Sequence, residues 1–152
     1  TNQSTNAIAI GYQAGQNKQS SDAIAIGTLA GQTNQGQYAI AIGTNAGQTN
    51  QGSQAIAIGT NAGQNNQSSN AIAIGTEAGQ TNQGQYAIAI GYQAGQASQA
   101  ANSIIINASG SALNTTITQA CFIKPLRGFS QGLGVGRVFY HTGTFELAYS
   151  LN

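Results

Sequence analysis

Charge is nearly absent from this sequence. Only 5% of the 152 residues are Asp, Glu, Lys or Arg, with four cations against three anions for a net charge of +1. An average domain carries about 25%. So little basic surface cannot displace counterions from a phosphate backbone, which excludes nucleic acid as a partner. General acid–base catalysis is equally poorly supplied: with His141 added to the four cations and three anions, eight such groups serve the whole chain. Methionine and tryptophan are missing, and proline and cysteine occur once each. A single Cys121 excludes an intrachain disulfide and is expected to be a small buried side chain. No apolar run approaches the roughly 20 residues that cross a bilayer, and no signal-peptide pattern opens the sequence, so no membrane insertion is expected. A highly charged disordered chain is excluded as well, because 40% of the residues are hydrophobic. What is present is glycine, 21 copies, with abundant Ala, Asn and Gln. That composition belongs either to low-complexity disorder or to a repeat solenoid.

Self-comparison decides for the solenoid. Ala-Ile-Ala-Ile-Gly begins at Ala7, Ala23, Ala39, Ala55, Ala71 and Ala87, a step of 16 residues each time, without insertion or deletion. Ala-Gly-Gln recurs at Ala14, Ala30, Ala46, Ala62, Ala78 and Ala94. A further glutamine follows each at Gln19, Gln35, Gln51, Gln67, Gln83 and Gln99. A degenerate seventh unit, Ser103-Ile104-Ile105-Ile106-Asn107, keeps the phase, and residues 1–5 fit the tail of a preceding unit. A start inside a repeat and without methionine is what a fragment or processed chain would show.

Sixteen residues are too few for a helical repeat, which needs roughly 33. Ala-Ile-Ala-Ile alternates with period 2 and reads as a strand closed by a glycine such as Gly11 or Gly27. The Ala-Gly pair marks a second turn, and the Gln-x-x-Gln segment a short second strand. The expected fold is all-β: a parallel β-roll whose coils stack about 4.8 Å apart and rise roughly 30 Å. Isoleucine ladders are expected to form the core: Ile8, Ile10, Ile24, Ile26, Ile40, Ile42, Ile56, Ile58, Ile72, Ile74, Ile88 and Ile90. Ala7, Ala9 and their equivalents would form the outer face, with Asn/Gln ladders bonding along the axis. Near-absence of charge then acquires a reason: a charge fixed in the repeat would stack on itself, and like charges at that spacing repel. So lean a core should be marginal alone, and the flat alanine face either packs under its own turns or, the favoured expectation, meets another chain.

Asn6-Ala7-Ile8-Ala9-Ile10-Gly11 resembles the head repeat of trimeric autotransporter adhesins, whose pattern is Asn-Ser-x-Ala-Ile-Gly. The unit at Asn102-Ser103-Ile104-Ile105-Ile106-Asn107 keeps the Asn-Ser start. The resemblance covers roughly residues 1–110, and it implies parallel β-rolls from three chains packed side by side. The 16-residue period, longer than usual, and the Gln-rich second half depart from the family.

Composition changes after Asn114. All four phenylalanines, the proline, the histidine and three of the four basic residues lie beyond it. Residues 1–112 are therefore expected to form the solenoid and 113–152 a small β cap that closes its open end. Ala120–Lys124 reads as a strand ending at Pro125. Arg137–Tyr140 and Phe145–Tyr149 read as a hairpin around a turn at His141–Thr144. Phe122, Pro125, Arg127, Phe139, Tyr140, Phe145 and Tyr149 are the expected cap residues. Phe122-Ile123-Lys124-Pro125-Leu126-Arg127, followed by Val138-Phe139-Tyr140 and Phe145-Glu146-Leu147-Ala148-Tyr149-Ser150, resembles the segment preceding an endosialidase-type intramolecular chaperone. That chaperone follows the fibres of tailed phages and several large DNA viruses. The resemblance implies a trimeric viral fibre that loses its chaperone by self-cleavage, with Asn152 near the end of the mature chain.

Candidate sites are few. Gly132-Leu133-Gly134-Val135-Gly136 lacks the Lys-Ser/Thr of a phosphate loop, and a strand rather than a helix follows. Lys124, Arg127 and Arg137 read as capping or interchain hydrogen-bond donors, and His141 as a solvated turn residue. Calcium-binding rolls need an aspartate in every coil, whereas Asp22 stands alone. Glycan hydrolysis needs two carboxylates about 5–9.5 Å apart; Asp22 and Glu77 are expected about three coils, near 14 Å, apart. Neither an enzyme nor a cofactor or metal is therefore expected. Two surface columns remain as ligand candidates. Thr28, Thr44, Thr60 and Thr76 form an uncharged file with Tyr12 and Tyr92 at its ends, as an ice- or surface-binding solenoid would show. Tyr12, Tyr38, Tyr86 and Tyr92 among amides could hold sugars weakly and repeatedly. The expected function is a homotrimeric fibre segment, extracellular or on a virion surface, that spaces or presents a host-attachment surface towards a glycan or receptor. A bacterial trimeric adhesin head and an ice-binding solenoid are the alternatives.

Overall fold

The computed structural model describes residues 3–125, 137–141 and 146–150. Its strands are β1 (Ile8–Ile10), β2 (Asn17–Gln19), β3 (Ile24–Ile26), β4 (Thr33–Gln35), β5 (Ile40–Ile42), β6 (Thr49–Gln51) and β7 (Ile56–Ile58). They continue with β8 (Ile72–Ile74), β9 (Ile88–Gly91), β10 (Ile104–Asn107), β11 (Cys121–Lys124), β12 (Arg137–His141) and β13 (Glu146–Ser150). The 16-residue step is also the pairing register: Ile24 faces Ile40, Ala25 faces Ala41, and Ile26 faces Ile42, in parallel. Eight strands join in the order β1-β3-β5-β7-β8-β9-β10-β11. The opposite wall is the three-stranded sheet β2-β4-β6, extended by parallel bridges from Thr49 through Asn65 and Thr81 to Ala97. The β-solenoid inferred from the repeat is therefore the observed architecture. β11, beyond the boundary expected at 112, still belongs to its main sheet.

The interior differs from expectation in one decisive respect. Alanines line it and isoleucines do not: Ala23, Ala25, Ala30 and their equivalents up to Ala94 are fully buried. The twelve isoleucines expected as the core ladder point outward; they do stack in register, but on the outer face. Coil width is the physical reason. The glutamine closing each coil lies inside it: Gln67 is 1% exposed and donates Nε2 to Ile56 O at 2.8 Å and to Ala71 O at 3.1 Å. A Cβ added at Gly63 would stand 2.5 Å from the Gln67 Oε1 and 3.2 Å from the Ala57 methyl. That gap holds an amide and a methyl and has no room for a branched side chain. From Gln51 upward the buried amides also bond one another, with Gln51 donating to Gln67, Gln67 to Gln83 and Gln83 to Gln99. Removing any one of them would strand carbonyls in a dry interior, at a cost of about 1–3 kcal/mol each.

At the C-terminal end the inward column changes from Ala89 to Ile105 and then Phe122, in register. Ile105 is fully buried, and Phe122 and Leu113 pack against the alanine core. The last coils thus fill the end of the narrow channel with larger side chains.

Tight corners come from left-handed backbone. Each coil carries three non-glycine residues with φ near +55°, for example Asn34, Tyr38 and Asn45. Asparagine tolerates that conformation and fills many of the sites, but Leu29 (φ +60°) does not suit it. Leu29 also sits one coil below Asn45, whose buried Oδ1 has no partner among the described residues, while Asn45 Nδ2 donates to Asn61 Oδ1 at 3.0 Å. Leu29→Asn would extend that ladder and relax the backbone. It is expected to stabilise the protein by about 1–2 kcal/mol, read as a higher melting temperature. An unchanged or lower one would refute the account.

Candidate functional site

Because alanine faces inward, the outer surface of the main sheet is a strip of isoleucine. One column runs Ile8, Ile24, Ile40, Ile56, Ile72, Ile88 and Ile104 and ends at Cys121. The other runs Ile10, Ile26, Ile42, Ile58, Ile74, Ile90 and Ile106 and ends at Ile123. Exposure is greatest towards its ends, 59% at Ile10, 38% at Ile90 and 39% at Ile106, and the isoleucines from Ile24 to Ile72 are half-buried. Eight strands make the strip about 34 Å long. Contiguous apolar surface on that scale marks an interaction site. Cys121, expected to be buried, is exposed at its end, because the Ile104–Cys121 register puts it on the outer face.

Two polar columns border the strip. Thr28, Thr44, Thr60 and Thr76 are all exposed on the Gly side, with Tyr12 and Tyr92 continuing their file, 69% and 44% exposed. The neighbouring column is mixed: Gln13, Leu29, Asn45, Asn61, Glu77 and Gln93. On the other side, Tyr38 and Tyr86 are exposed in the file Asn6, Asp22, Tyr38, Gln54, Asn70, Tyr86 and Asn102. The four tyrosines therefore divide into two pairs on opposite borders.

The amide ladders are real and run in opposing directions. Asn34 donates to Asn50, Asn50 to Asn66 and Asn66 to Asn82. Gln96 donates to Gln80, and the chain continues through Gln64, Gln48 and Gln32 down to Gln16. Glu77 accepts from both Gln93 (2.8 Å) and Gln96 (2.7 Å), and Asp22 accepts from Asn6 at 3.0 Å. Glu77 is an acceptor inserted beside the glutamine ladder, Asp22 accepts from a single amide, and the two stand in different columns. Among the described residues no three His, Cys, Asp or Glu gather to hold a metal ion. No helix there is long and apolar enough to cross a membrane.

Of the expected cap residues, Phe122 is half-buried on β11 and Pro125 follows it, exposed. Phe139, Tyr140 and Tyr149 lie on β12 and β13, which pair antiparallel with Val138 opposite Tyr149 and His141 opposite Glu146. His141 is thus a strand residue, one position beyond the expected end of that strand. Arg127, Phe145 and the Gly132–Gly136 loop lie outside the described residues, and Arg137 is placed only as the first residue of β12.

A family model described as the YadA head domain repeat (2 copies) matches residues 35–47 of the chain. That coil is similar to an adhesin head repeat. The matched stretch contains the strand β5, the left-handed Tyr38 and Asn45, and Gly43 and Gly47, so it samples both turns of one coil. No curated protein and no solved structure matches the chain. Sequence reasoning missed the inward glutamine of the repeat. Its signal was there: Gln19, Gln35, Gln51, Gln67, Gln83 and Gln99 never vary, whereas the solvent-facing position before each one is Lys, Asn or Ser.

Proposed function

We propose that the chain is a structural and adhesive segment of an extracellular fibre, assembled as a homotrimer with the isoleucine strip of each solenoid buried against its copies. The observation that carries this reading is the inversion of the sheet. The larger apolar side chains stand on the outside, and only methyl groups and one amide per coil fill the inside. Ordering a coil costs roughly 1–2 kcal/mol per residue, and three buried methyls offset little of that at about 25 cal/mol per Å². The strip supplies the missing apolar burial once copies meet. The head repeats support the same self-association, in a surface-exposed setting.

Two settings fit. The likeness of Phe122–Arg127 and the β12–β13 segment to the region preceding a fibre chaperone supports a virion or phage fibre. The repeats themselves support a bacterial surface adhesin equally well. Native mass spectrometry of the purified chain is expected to show three copies of 15.4 kDa. A clean monomer would overturn the fibre reading. If that monomer also gave thermal hysteresis in freezing water, the exposed threonine file would become the functional surface instead.

A further inference from the structure

We propose that the corner formed by Asn50, Gly52, Asn66, Ser68, Ser69 and Gln85 is a binding site for a neutral oligosaccharide, bracketed by Tyr38 and Tyr86. It is an open groove of about 440 Å³. It forms because the column of Gly36, Gly52, Ser68 and Gly84 is short throughout, and beside it Ser53 and Ser69 are short where the flanking coils carry Gln37 and Gln85.

Three features match a sugar. First, unused hydrogen-bonding groups face solvent here. Among the described residues the Ser68 and Ser69 hydroxyls and the Gln85 amide, all lining the groove, make no hydrogen bond within the chain. Second, the Asn50–Asn66 ladder forms one wall and offers a regular row of amides, suited to vicinal hydroxyls. Third, Tyr38 and Tyr86 are 53% and 54% exposed in the file that contains Gln54 and Asn70. They stand three coils apart, about 14 Å: Tyr38 lies one coil below Asn50 and Gly52, and Tyr86 is next to Gln85 in the last coil of the groove. A tyrosine ring gives an apolar plane for the C–H face of a pyranose and a hydroxyl for its rim. The span suits several linked sugars rather than one, and no charged side chain lines the groove, which favours a neutral glycan.

This deepens the adhesive reading and rests on it. The repeat provides substitutions that its own coils already accommodate. Asn occupies the tyrosine file at Asn70 and Asn102 with the same left-handed φ, so Tyr38→Asn and Tyr86→Asn keep the corner; Gln37 and Gln85 make Ser69→Gln a fold-compatible way to fill the groove. Saturation-transfer NMR and calorimetry on the full chain would use maltotriose, cellotriose, chitotriose and sialyllactose as probes. At least one neutral trisaccharide is expected to bind more tightly than sialyllactose, with each tyrosine variant weakening it about tenfold and Ser69→Gln abolishing it. Binding of none, preference for the sialylated probe, or indifference to these variants would overturn the site. Native mass measured on the same sample separates the two readings: a trimer that binds no sugar overturns the groove alone, and a monomer overturns the fibre.

Discussion

Replacing Ile56 and Ile58 together by lysine is expected to convert the proposed homotrimer into a monomer while leaving the coil itself folded. Both side chains stand on the outer face of β7, so neither contacts the alanine core. In the assembly they would lie mid-strip. Each isoleucine removed from water contributes about 1.5–3 kcal/mol, and the loss is multiplied by three copies. Each lysine brought into the seam adds a desolvation cost of several kcal/mol, with a like charge from the copy beside it. Sedimentation or native mass spectrometry would report the change, and an unaltered far-UV circular dichroism spectrum would show that the β-roll survives. Asn66→Lys with Asn82→Lys is the control: the pair adds the same two charges to the exposed file where Lys18 already stands, and the assembly should persist. A trimer that tolerates both lysines in the strip would refute the proposed seam.

Gly59→Ala is expected to be among the costly single methyl additions on the fold. Gly59 adopts φ +124°, a conformation closed to L-residues, and an added Cβ would stand 2.8 Å from both C and O of Gly75 in the next coil. The obstacle is backbone already committed to the ladder, since Gly75 N donates to Ile58 O at 2.8 Å. Either the coils separate locally or the turn changes its dihedrals; the cost is about 3 kcal/mol or more. Thermal melting should fall by about 10 °C on that basis. Gly110 separates backbone strain from collision: it also has positive φ, +72°, but an added Cβ meets nothing within 4 Å. Gly110→Ala should therefore cost only about 1–2 kcal/mol. If Gly59→Ala melted no lower than Gly110→Ala, coil-to-coil contact would not be what demands glycine there.

The coil was legible from sequence because its parts are local. Ile-Ala-Ile alternation places β3, β5 and β7, Gly27 and Gly43 stop them, and the strict period fixes the parallel register. The sense of the sheet was not legible. Alternation of Ile with Ala is the same pattern whichever face is buried, and hydropathy alone favours isoleucine inside. What decides is the width of the channel, set by left-handed corners at residues such as Asn34, Tyr38 and Asn45 and by an amide reaching from Gln67 to the Ile56 carbonyl. Those are properties of a closed ring of 16 residues and of no single segment. Cys121 was misplaced for the same reason: an apolar strand suggests burial, but its register with Ile104 puts it outside. The groove at Ser68 and Ser69 depends on which short side chains lie above which glycine, and that appears only when coils are stacked.

One coil of 16 residues advances the axis by about 4.8 Å, or about 0.3 Å per residue. An α-helix advances about 1.5 Å per residue, so a helical stalk covers the same distance with a fifth of the chain. If this segment served only as a spacer, the roll would be a poor design. Its product is perimeter. Each step lays down a full belt of side chains around the axis, and single substitutions such as Glu77, Tyr86 or Ser69 can be written into one belt without disturbing the next. Such a material is suited to a patterned wall more than to a reach.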